Sequence, residues 1–168
     1  MTPVIEIREE QAGDLASIRE VNRRAFGQDL EANIVDALRK NGAAQLSLAA
    51  SVDGRIVGHI MFSPAGIGSV TGVALGPMAV LPELQRQGIG SRLVEAGIGE
   101  LQRAGCPFIV VVGHPEFYLR FGFEPARSRD IRCEWNVPDE VFMVLVLDEA
   151  RVRGLKGVAT YRPEFSIE

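Results

Sequence analysis

The chain has 168 residues and a formal net charge of −4. Its 46% hydrophobic and 24% charged residues are ordinary for a globular protein and exclude global disorder. An acidic balance is the opposite of the basic footprint expected of a protein that binds nucleic acid or anionic membrane broadly. We therefore expect one domain over residues 1–168, with neither nucleic acid nor membrane as a partner.

Targeting and cysteine signals are weak. Residues 1–8 lack the basic start and apolar stretch of a secretory leader. The longest aliphatic or aromatic run, Phe108–Val112, is too short to span a bilayer. Cys106 and Cys133 are too few and too far apart for a sequence-readable metal cage or redox pair. These features predict a cytoplasmic protein with free thiols and no metal site.

Secondary structure follows from hydrophobic periodicity, which has period two in strands and three to four in helices. The Asp53-Gly54 dipeptide predicts a hairpin turn, Asp14 stands where a helix N-cap belongs, and Gly105 ends the longest helix. In chain order the predicted elements are a strand at 5–7, helices at 15–26 and 30–39, strands at 46–52, 55–62 and 70–80, a helix from Gly88, a strand at 108–112, a short helix at 115–121 and a strand at 141–147.

The order of these elements predicts the fold class. The strand–helix–strand passage from Val73 to Val112 requires a parallel strand pair with a right-handed crossover, whereas the earlier hairpin is antiparallel. Together they predict a mixed α/β sheet with helices on its faces. We expect the core within about residues 5–147 and a C-terminal extension over 148–168, to which no chemistry is assigned.

The segment between the strand at 70–80 and the next helix carries the strongest chemical signal. Gly88 and Gly90 lack a Cβ atom, so the chain can turn tightly and bring backbone N–H groups close to a ligand. The first turn of a helix has unpaired N–H donors and the positive end of the macrodipole. Arg86 and Arg92 add positive charge. This combination favours a phosphate or pyrophosphate ligand.

Residue spacing narrows the kind of phosphate ligand. Leu93 stands where the dinucleotide fingerprint needs a third glycine, and no Gly-Lys-Ser/Thr triplet forms a P-loop. Gln85-x-x-Gly88-x-Gly90 instead resembles the Q/R-x-x-G-x-G/A motif of the GNAT superfamily of N-acetyltransferases. In that superfamily the loop and the helix N-terminus hold the pyrophosphate of acetyl-CoA.

Two flanking segments extend the resemblance. Met78-Ala79-Val80-Leu81-Pro82 is similar to the hydrophobic-Val-x-Pro phrase that precedes the motif, and Phe117-Tyr118-Leu119-Arg120-Phe121-Gly122-Phe123 is similar to the (F)Y-x-x-x-G-F segment that follows it. The residues from His114 to Tyr118 and the extended tail resemble a bacterial subgroup described as YhbS-like. The resemblance implies a central mixed, mostly antiparallel sheet with a splayed parallel strand pair and flanking helices.

The resemblance also implies acetyl-CoA as the acyl donor and no metal. Backbone groups of Met78 and Val80 would pair with the pantetheine arm as an added strand does. The alternatives are an ordinary interior strand and a glycine-softened helix start without a ligand. The implied cofactor-binding residues are Met78, Ala79, Val80, Gln85, Arg86, Gln87, Gly88, Ile89, Gly90 and Ser91.

Tyr118 is implied to be the general acid that returns a proton to the departing CoA thiolate. Its alternative role is packing within an aromatic cluster. Glu83, His114 and Glu116 are candidates for a general base by their proximity to the motifs, although an ordered water can also serve. His114 has the side chain that titrates nearest neutrality in its unperturbed form, and it could equally be a structural loop histidine. His59 lies between apolar neighbours in a strand and is predicted to be structural.

The sequence therefore predicts an N-acetyltransferase that passes the acetyl group directly to the primary amine of a small-molecule or peptide acceptor. Neither cysteine has a nucleophile's surroundings, which argues against an acyl-enzyme. The alternative is a non-catalytic acyl-CoA-binding or sensor protein on the same fold. Trp135 and residues 127–136 either line the acceptor site or form a surface loop, and family habit allows a homodimer.

Overall fold

A computed structural model describes residues 4–166. The helices are α1 (Leu15–Phe26), α2 (Leu30–Lys40), α3 (Ile89–Arg103), α4 (Pro115–Tyr118) and α5 (Glu149–Val152). The strands are β1 (Ile5–Glu9), β2 (Leu46–Val52), β3 (Arg55–Ile67), β4 (Val70–Val80), β5 (Phe108–Val112), β6 (Glu124–Pro125), β7 (Ile131–Cys133), β8 (Phe142–Val146) and β9 (Gly157–Thr160). Every predicted element is present, although several ends differ, most of all that of β3.

The strands form a mixed sheet, as predicted. Hydrogen-bonded neighbours follow the order β1-β2-β3-β4-β5-β8-β6, and β9 pairs with both β3 and β7. The pairing of β4 with β5 is parallel, and that of β7 with β9 is too. The pairs β1–β2, β2–β3, β3–β9, β5–β8 and β6–β8 are antiparallel. The sheet is therefore mostly antiparallel, with helices covering its faces.

The described residues divide into two compact units. The first unit contains residues 4–62, 76–98 and 163–166, and the second contains Ser63–Leu75 and Gly99–Arg162. Strands β3 and β4 and helix α3 each contribute residues to both units. The expectation of a single domain remains a prediction.

In the first unit, strand alternation places helices on opposite faces of the sheet. A Cβ atom at Gly58 would lie 3.1 Å from Ile89 and 3.2 Å from Leu93, so this face of β3 packs against α3. His59 points to the other face, where its ring meets Asn22 of α1. Successive residues of a strand point to opposite faces, so a shift of one residue in register would exchange these two environments.

In the second unit, the parallel pairing of β4 with β5 is centred on Val73, which lies opposite Ile109. Strand β5 is buried along most of its length, with only Val112 exposed. A continuous apolar run is expected of a strand covered on both faces. Gly72 lies directly against Phe108, and a Cβ atom there would meet the Phe108 carbonyl oxygen at 2.5 Å. The parallel strand pairing predicted for the passage from Val73 to Val112 is confirmed.

Three local expectations need correction. Asp14 occupies the N-cap position of α1, but its carboxylate does not cap that helix. It accepts from the Gln11 N–H at 2.7 Å and from the Arg8 guanidinium, which fixes the turn before the helix. Strand β3 continues past Phe62 to Ile67, because β9 provides it with a partner there. The C-terminal extension, for which no element was predicted, supplies both α5 and β9.

Within residues 4–166, no helix combines the length and apolar character that crossing a membrane would need.

Candidate functional site

The glycine loop between β4 and α3 has an unusual backbone. After a short 3-10 turn at Pro82–Leu84, Arg86 has φ of +64° and Gly88 has φ of +88°. The left-handed region costs roughly 1 kcal/mol for a residue with a side chain, so Arg86 holds a conformation that glycine would adopt more easily. Left-handed residues in a short loop turn successive N–H groups toward one side, which forms an anion-binding concavity.

Backbone donors of this loop are available to a ligand. Among residues 4–166, the N–H groups of Arg86, Gln87 and Gly88 find no hydrogen-bond acceptor, and all three residues are exposed. The Arg92 N–H donates to the Gly88 carbonyl at 3.1 Å, which is the usual helical bond at the start of α3. Donors in front of a helix N-terminus favour a negatively charged group.

Gln85 has a different task from its neighbours. Its Nε2 donates to the Val80 carbonyl oxygen at 3.0 Å, and its backbone N–H donates to the Pro82 carbonyl at 3.4 Å. Leu81, next to Val80, is tied to β3 by a bond from its N–H to the Val57 carbonyl at 2.9 Å. Gln85 thus fixes the loop to the end of β4, a role that the sequence pattern did not reveal.

Glu83 lies in an ion-paired cluster on the surface of the first unit. Its two carboxylate oxygens accept from Arg24 at 3.0 and 2.8 Å, and Arg55 approaches at 3.6 Å. A hydrogen bond from its own backbone and the Arg24 guanidinium lower the pKa of Glu83. A lowered pKa weakens a carboxylate as a proton acceptor.

Tyr118 lies in the second unit at the end of α4, where it is buried. Its ring packs edge-on against Phe117 at 4.9 Å and Phe123 at 5.4 Å between centroids. Burial raises the pKa of Tyr118 to about 12, so the phenol is protonated at neutral pH. Within the described chain its hydroxyl has no hydrogen-bond partner. The phenol therefore keeps its proton while its ring packs in the aromatic cluster.

Gly113 makes room for the Tyr118 ring. A Cβ atom at this position would overlap Cε2 of Tyr118, and the Gly113 N–H is held by the Val141 carbonyl at 2.9 Å. The backbone at Gly113, directly after β5, is therefore restrained beside the ring. Sequence reasoning missed this residue, and its only signal was a glycine directly after a buried strand.

The other base candidates lie beside Tyr118 in the chain. The His114 carbonyl accepts from the N–H groups of Phe117 and Tyr118 at 3.1 and 3.2 Å, which makes His114 the N-cap residue of α4. Its imidazole is exposed and makes no hydrogen bond or ion pair with the described residues. Glu116 is exposed in the first turn of α4.

His59 is structural, as predicted. Its ring is fully buried, and burial lowers its pKa to about 4, so it is neutral. Asn22 Nδ2, which donates to the Ile18 carbonyl, lies 3.3 Å from His59 Nδ1. The ring then carries its proton on Nε2 and donates to Ser47 Oγ at 2.8 Å, while Ser47 donates to Glu10.

Both cysteines carry free thiols. Burial raises the pKa of Cys106 and of Cys133, so neither thiol is activated as a thiolate. Among residues 4–166, His, Cys, Asp and Glu side chains form no group of three or more that could hold a metal ion.

Comparison with known proteins decides the family. The model of the acetyltransferase (GNAT) family matches residues 14–123, which include the glycine loop and Tyr118. The chain is a member of the GNAT acetyltransferase family. Its resemblance to the YhbS-like subgroup is also confirmed. It is 34% identical over 163 residues to the uncharacterized N-acetyltransferase YhbS of Escherichia coli K12, covering 95% of this chain and 98% of that protein.

Further relatives support the assignment. The uncharacterized N-acetyltransferase YjhQ of Escherichia coli K12 is 40% identical over 134 residues, covering 76% of this chain and 74% of YjhQ. A crystal structure of Escherichia coli YhbS in complex with CoA matches with a TM-score of 0.94 at 33% identity, covering 99% of this chain and 94% of that one. A GNAT acetyltransferase from Brucella melitensis in complex with acetyl-CoA matches with a TM-score of 0.80 at 34% identity, covering 98% and 99%.

Proposed function

We propose that this GNAT family member transfers an acetyl group from acetyl-CoA directly to the amine of an acceptor. The observation that carries the proposal is the loop before α3, where exposed N–H donors of Arg86, Gln87 and Gly88 precede a helix N-terminus. Two relatives with the same fold and about one-third sequence identity bind CoA and acetyl-CoA. Backbone donors of this kind suit a pyrophosphate.

The proposed donor site runs from Met78 to Ser91. The backbone of Met78, Ala79 and Val80 would pair with the pantetheine arm as an added strand. The carbonyl of Val80 already accepts from Gln85, so we assign Gln85 to positioning the loop rather than to contacting the pyrophosphate. The pyrophosphate ligands are then the backbone groups of Arg86, Gln87, Gly88, Ile89, Gly90 and Ser91.

Tyr118 is the proposed general acid. The amine nitrogen of the acceptor attacks the thioester carbonyl carbon, the carbon–sulfur bond breaks, and the sulfur departs with the bonding electrons. The thiolate takes a proton from the Tyr118 hydroxyl, which solvent then reprotonates, and the new amide nitrogen loses one proton. A pKa of about 12 keeps the phenol in its acid form before each turnover.

A protonated amine must lose a proton before it attacks, and three groups are candidates to accept that proton. Glu83 is a weak candidate because Arg24 and Arg55 stabilise its ionised form. His114 has an exposed imidazole beside α4 and is the better side-chain candidate. A general base is needed only if the amine arrives protonated, and an ordered water could also serve as that base.

Substitution of Tyr118 by Phe tests the enzymatic role against a non-catalytic acyl-CoA-binding role. Phenylalanine keeps the ring and its packing against Phe117 and Phe123 while it removes the acidic proton. We expect CoA release from acetyl-CoA and an amine acceptor to slow by about 100-fold or more, with unchanged affinity for acetyl-CoA. A wild-type protein that binds acetyl-CoA but acetylates no amine in a broad acceptor screen would support the binding role instead.

A further inference from the structure

The second unit contains a cavity that the proposed donor site does not use. Its volume is about 180 Å³, and its lining includes Trp135 and Phe142 as well as the charged side chains of Arg127, Arg132 and Asp139. Aromatic rings beside a few charged groups are features that small-molecule sites use. The segment that the sequence left unassigned, 127–136, forms much of this lining.

Pairing of β7 with β9 builds the aromatic wall. The strands run parallel, with Cys133 opposite Ala159. Trp135 follows Cys133 by two residues, and Tyr161 follows Ala159 by two residues. The two rings pack together with centroids 4.3 Å apart and planes tilted by 45°. The Tyr161 N–H donates to a Glu134 carboxylate oxygen at 2.7 Å, which fixes the two segments to each other. Trp135 and Tyr161 thus directly follow the paired strands and are joined by this bond and by their ring contact.

The charged side chains that line the cavity form no ion pairs with the described residues. Arg129, a neighbour in sequence, is bound to Glu124 at 2.8 Å and to Glu149 at 3.1 Å. Arg127, Arg132 and Asp139, by contrast, are exposed and make no ion pair or side-chain hydrogen bond with the described residues. Two guanidinium groups and one carboxylate thus line the same cavity as the rings of Trp135 and Phe142.

We propose that this cavity binds an α-amino acid with an apolar side chain, and that this amino acid is the acceptor in the acetyl transfer proposed above. Arg127 and Arg132 bind its carboxylate, for which a guanidinium offers paired donors. Asp139 faces its amino group. The apolar side chain packs on Trp135 and Phe142. This inference rests on the proposed function and adds the chemical class of the acceptor.

Tyr161, which packs against Trp135 of the cavity lining, is itself buried. Burial raises the pKa of Tyr161 well above its ordinary value, and the nearby Cys133, Glu134 and Tyr118 oppose its ionisation further. Cys133 lines the cavity, and the cavity residues, Tyr161 and Tyr118 all belong to the second unit. The overall reaction converts the amino acid and acetyl-CoA into an N-acetyl amino acid, CoA thiol and, from an ammonium group, one released proton.

Fluorescence provides a direct readout of the cavity. Trp135 is the only tryptophan in the sequence, so its emission reports on this wall without contribution from acetyl-CoA or turnover. We would titrate the wild-type protein with L-leucine, L-methionine and L-phenylalanine, and with the amide of each, which keeps the amino group but lacks the carboxylate. At least one amino acid is expected to change the emission in a saturable way. The affinity for its amide should be lower by about tenfold or more.

Three variants test whether the emission change comes from binding in the cavity. Arg127→Gln and Arg132→Gln should each lower the affinity for the amino acid by about tenfold or more, which brings it close to the affinity for the amide. Arg153→Gln removes an exposed arginine of the same unit outside the cavity lining and should bind as the wild type does. Circular dichroism would verify that each variant is folded.

The possible results separate the two proposals. No saturable change with any of the three amino acids, equal binding of acid and amide, or unchanged binding by both arginine variants would overturn the cavity assignment. Acetyl-CoA binding, measured separately by calorimetry, tests the donor site. Amino acid binding without acetyl-CoA binding would leave the cavity standing and refute acetyl transfer. If CoA is released with other amines but not with these amino acids, the acceptor role of the cavity is refuted, and the proposed acetyl transfer still stands.

Discussion

The side-chain amide of Gln85 donates to the carbonyl oxygen of Val80 across 3.0 Å. This bond joins the glycine loop to the last residue of β4. Replacing Gln85 with Ala removes it, and a net hydrogen bond is worth about 1 kcal/mol. We therefore expect acetyl-CoA affinity to fall about fivefold, because the loop donors are no longer held in one arrangement.

Calorimetric titration of the Gln85→Ala variant with acetyl-CoA would measure this loss. Gln102→Ala is a matched control, since Gln102 is exposed near the end of α3 and its side chain makes no hydrogen bond with the described residues. Equal affinities in both variants would refute the positioning role of Gln85.

Gly113→Ala should disturb the Tyr118 ring. The new Cβ atom would overlap Cε2 of Tyr118, and the bond from Gly113 N–H to Val141 restrains the backbone. We expect a loss of unfolding free energy of about 1–3 kcal/mol, together with slower CoA release. Urea unfolding would measure the first effect and thiol detection the second.

The control for this change is Gly66→Ala in the same unit. A Cβ atom at Gly66 would have open space around it, and its φ lies outside the left-handed region. Its free energy of unfolding should stay equal or rise by a few tenths of a kcal/mol to about 1 kcal/mol. Similar destabilisation at both positions would show that the Tyr118 contact is not the cause.

These glycines show why only part of the molecule could be read from the sequence. The Asp53-Gly54 turn follows from local conformation, and the structure has both residues at positive φ. The stripe on α3 and the buried run of β5 are also local patterns. The contact between Gly113 and Tyr118 depends on the path of a later turn, and no local pattern encodes it.

The missed strands have the same explanation. Strand β7 has three residues and β9 has four, and each depends on a partner more than 20 residues away. Without that pairing the stacking of Trp135 on Tyr161 cannot be foreseen. The ion pairs from Arg24 and Arg55 to Glu83 likewise join distant segments. The glycine motif was readable because its function depends on backbone conformation within a few residues.

The buried imidazole of His59 should make stability depend on pH. Its pKa falls from 6.5 in the unfolded chain to about 4 in the folded protein, because burial disfavours the charged ring. Below pH 6.5 the unfolded state binds a proton that the folded state does not, so stability falls as the pH falls toward 4. Between pH 6.5 and about 5 we expect a loss on the order of 2 kcal/mol.

Urea unfolding across this range would measure the loss in wild type and in His59→Gln, which should show a smaller dependence. His114→Gln keeps the buried ring and should keep the full dependence. Glu10 and Asp14 have lowered pKa values, but they are carboxylates and contribute mainly below about pH 5. An unchanged slope in His59→Gln would contradict this explanation.

The raised pKa of Tyr118 should keep the turnover number from falling at moderately alkaline pH. A pKa of about 12 means that the phenol remains protonated through about pH 10, where an ordinary tyrosine would have lost half of its acid form. The turnover number at saturating substrates should therefore not decline between about pH 8 and pH 10 through Tyr118 ionisation. A decline near pH 10 that disappears in the residual activity of Tyr118→Phe would contradict the account.

The central claim is that the loop before α3 binds acetyl-CoA, and calorimetric titration tests it most directly. Wild-type protein would be titrated with acetyl-CoA and, as controls, with NADH and ATP, and the first titration repeated with Gly90→Asp and Gly90→Asn. The aspartate places a negative charge at a proposed pyrophosphate contact, whereas asparagine adds similar bulk without charge. We expect selective binding of acetyl-CoA that Gly90→Asp weakens much more than Gly90→Asn. Folded wild-type protein that does not bind acetyl-CoA would contradict the account.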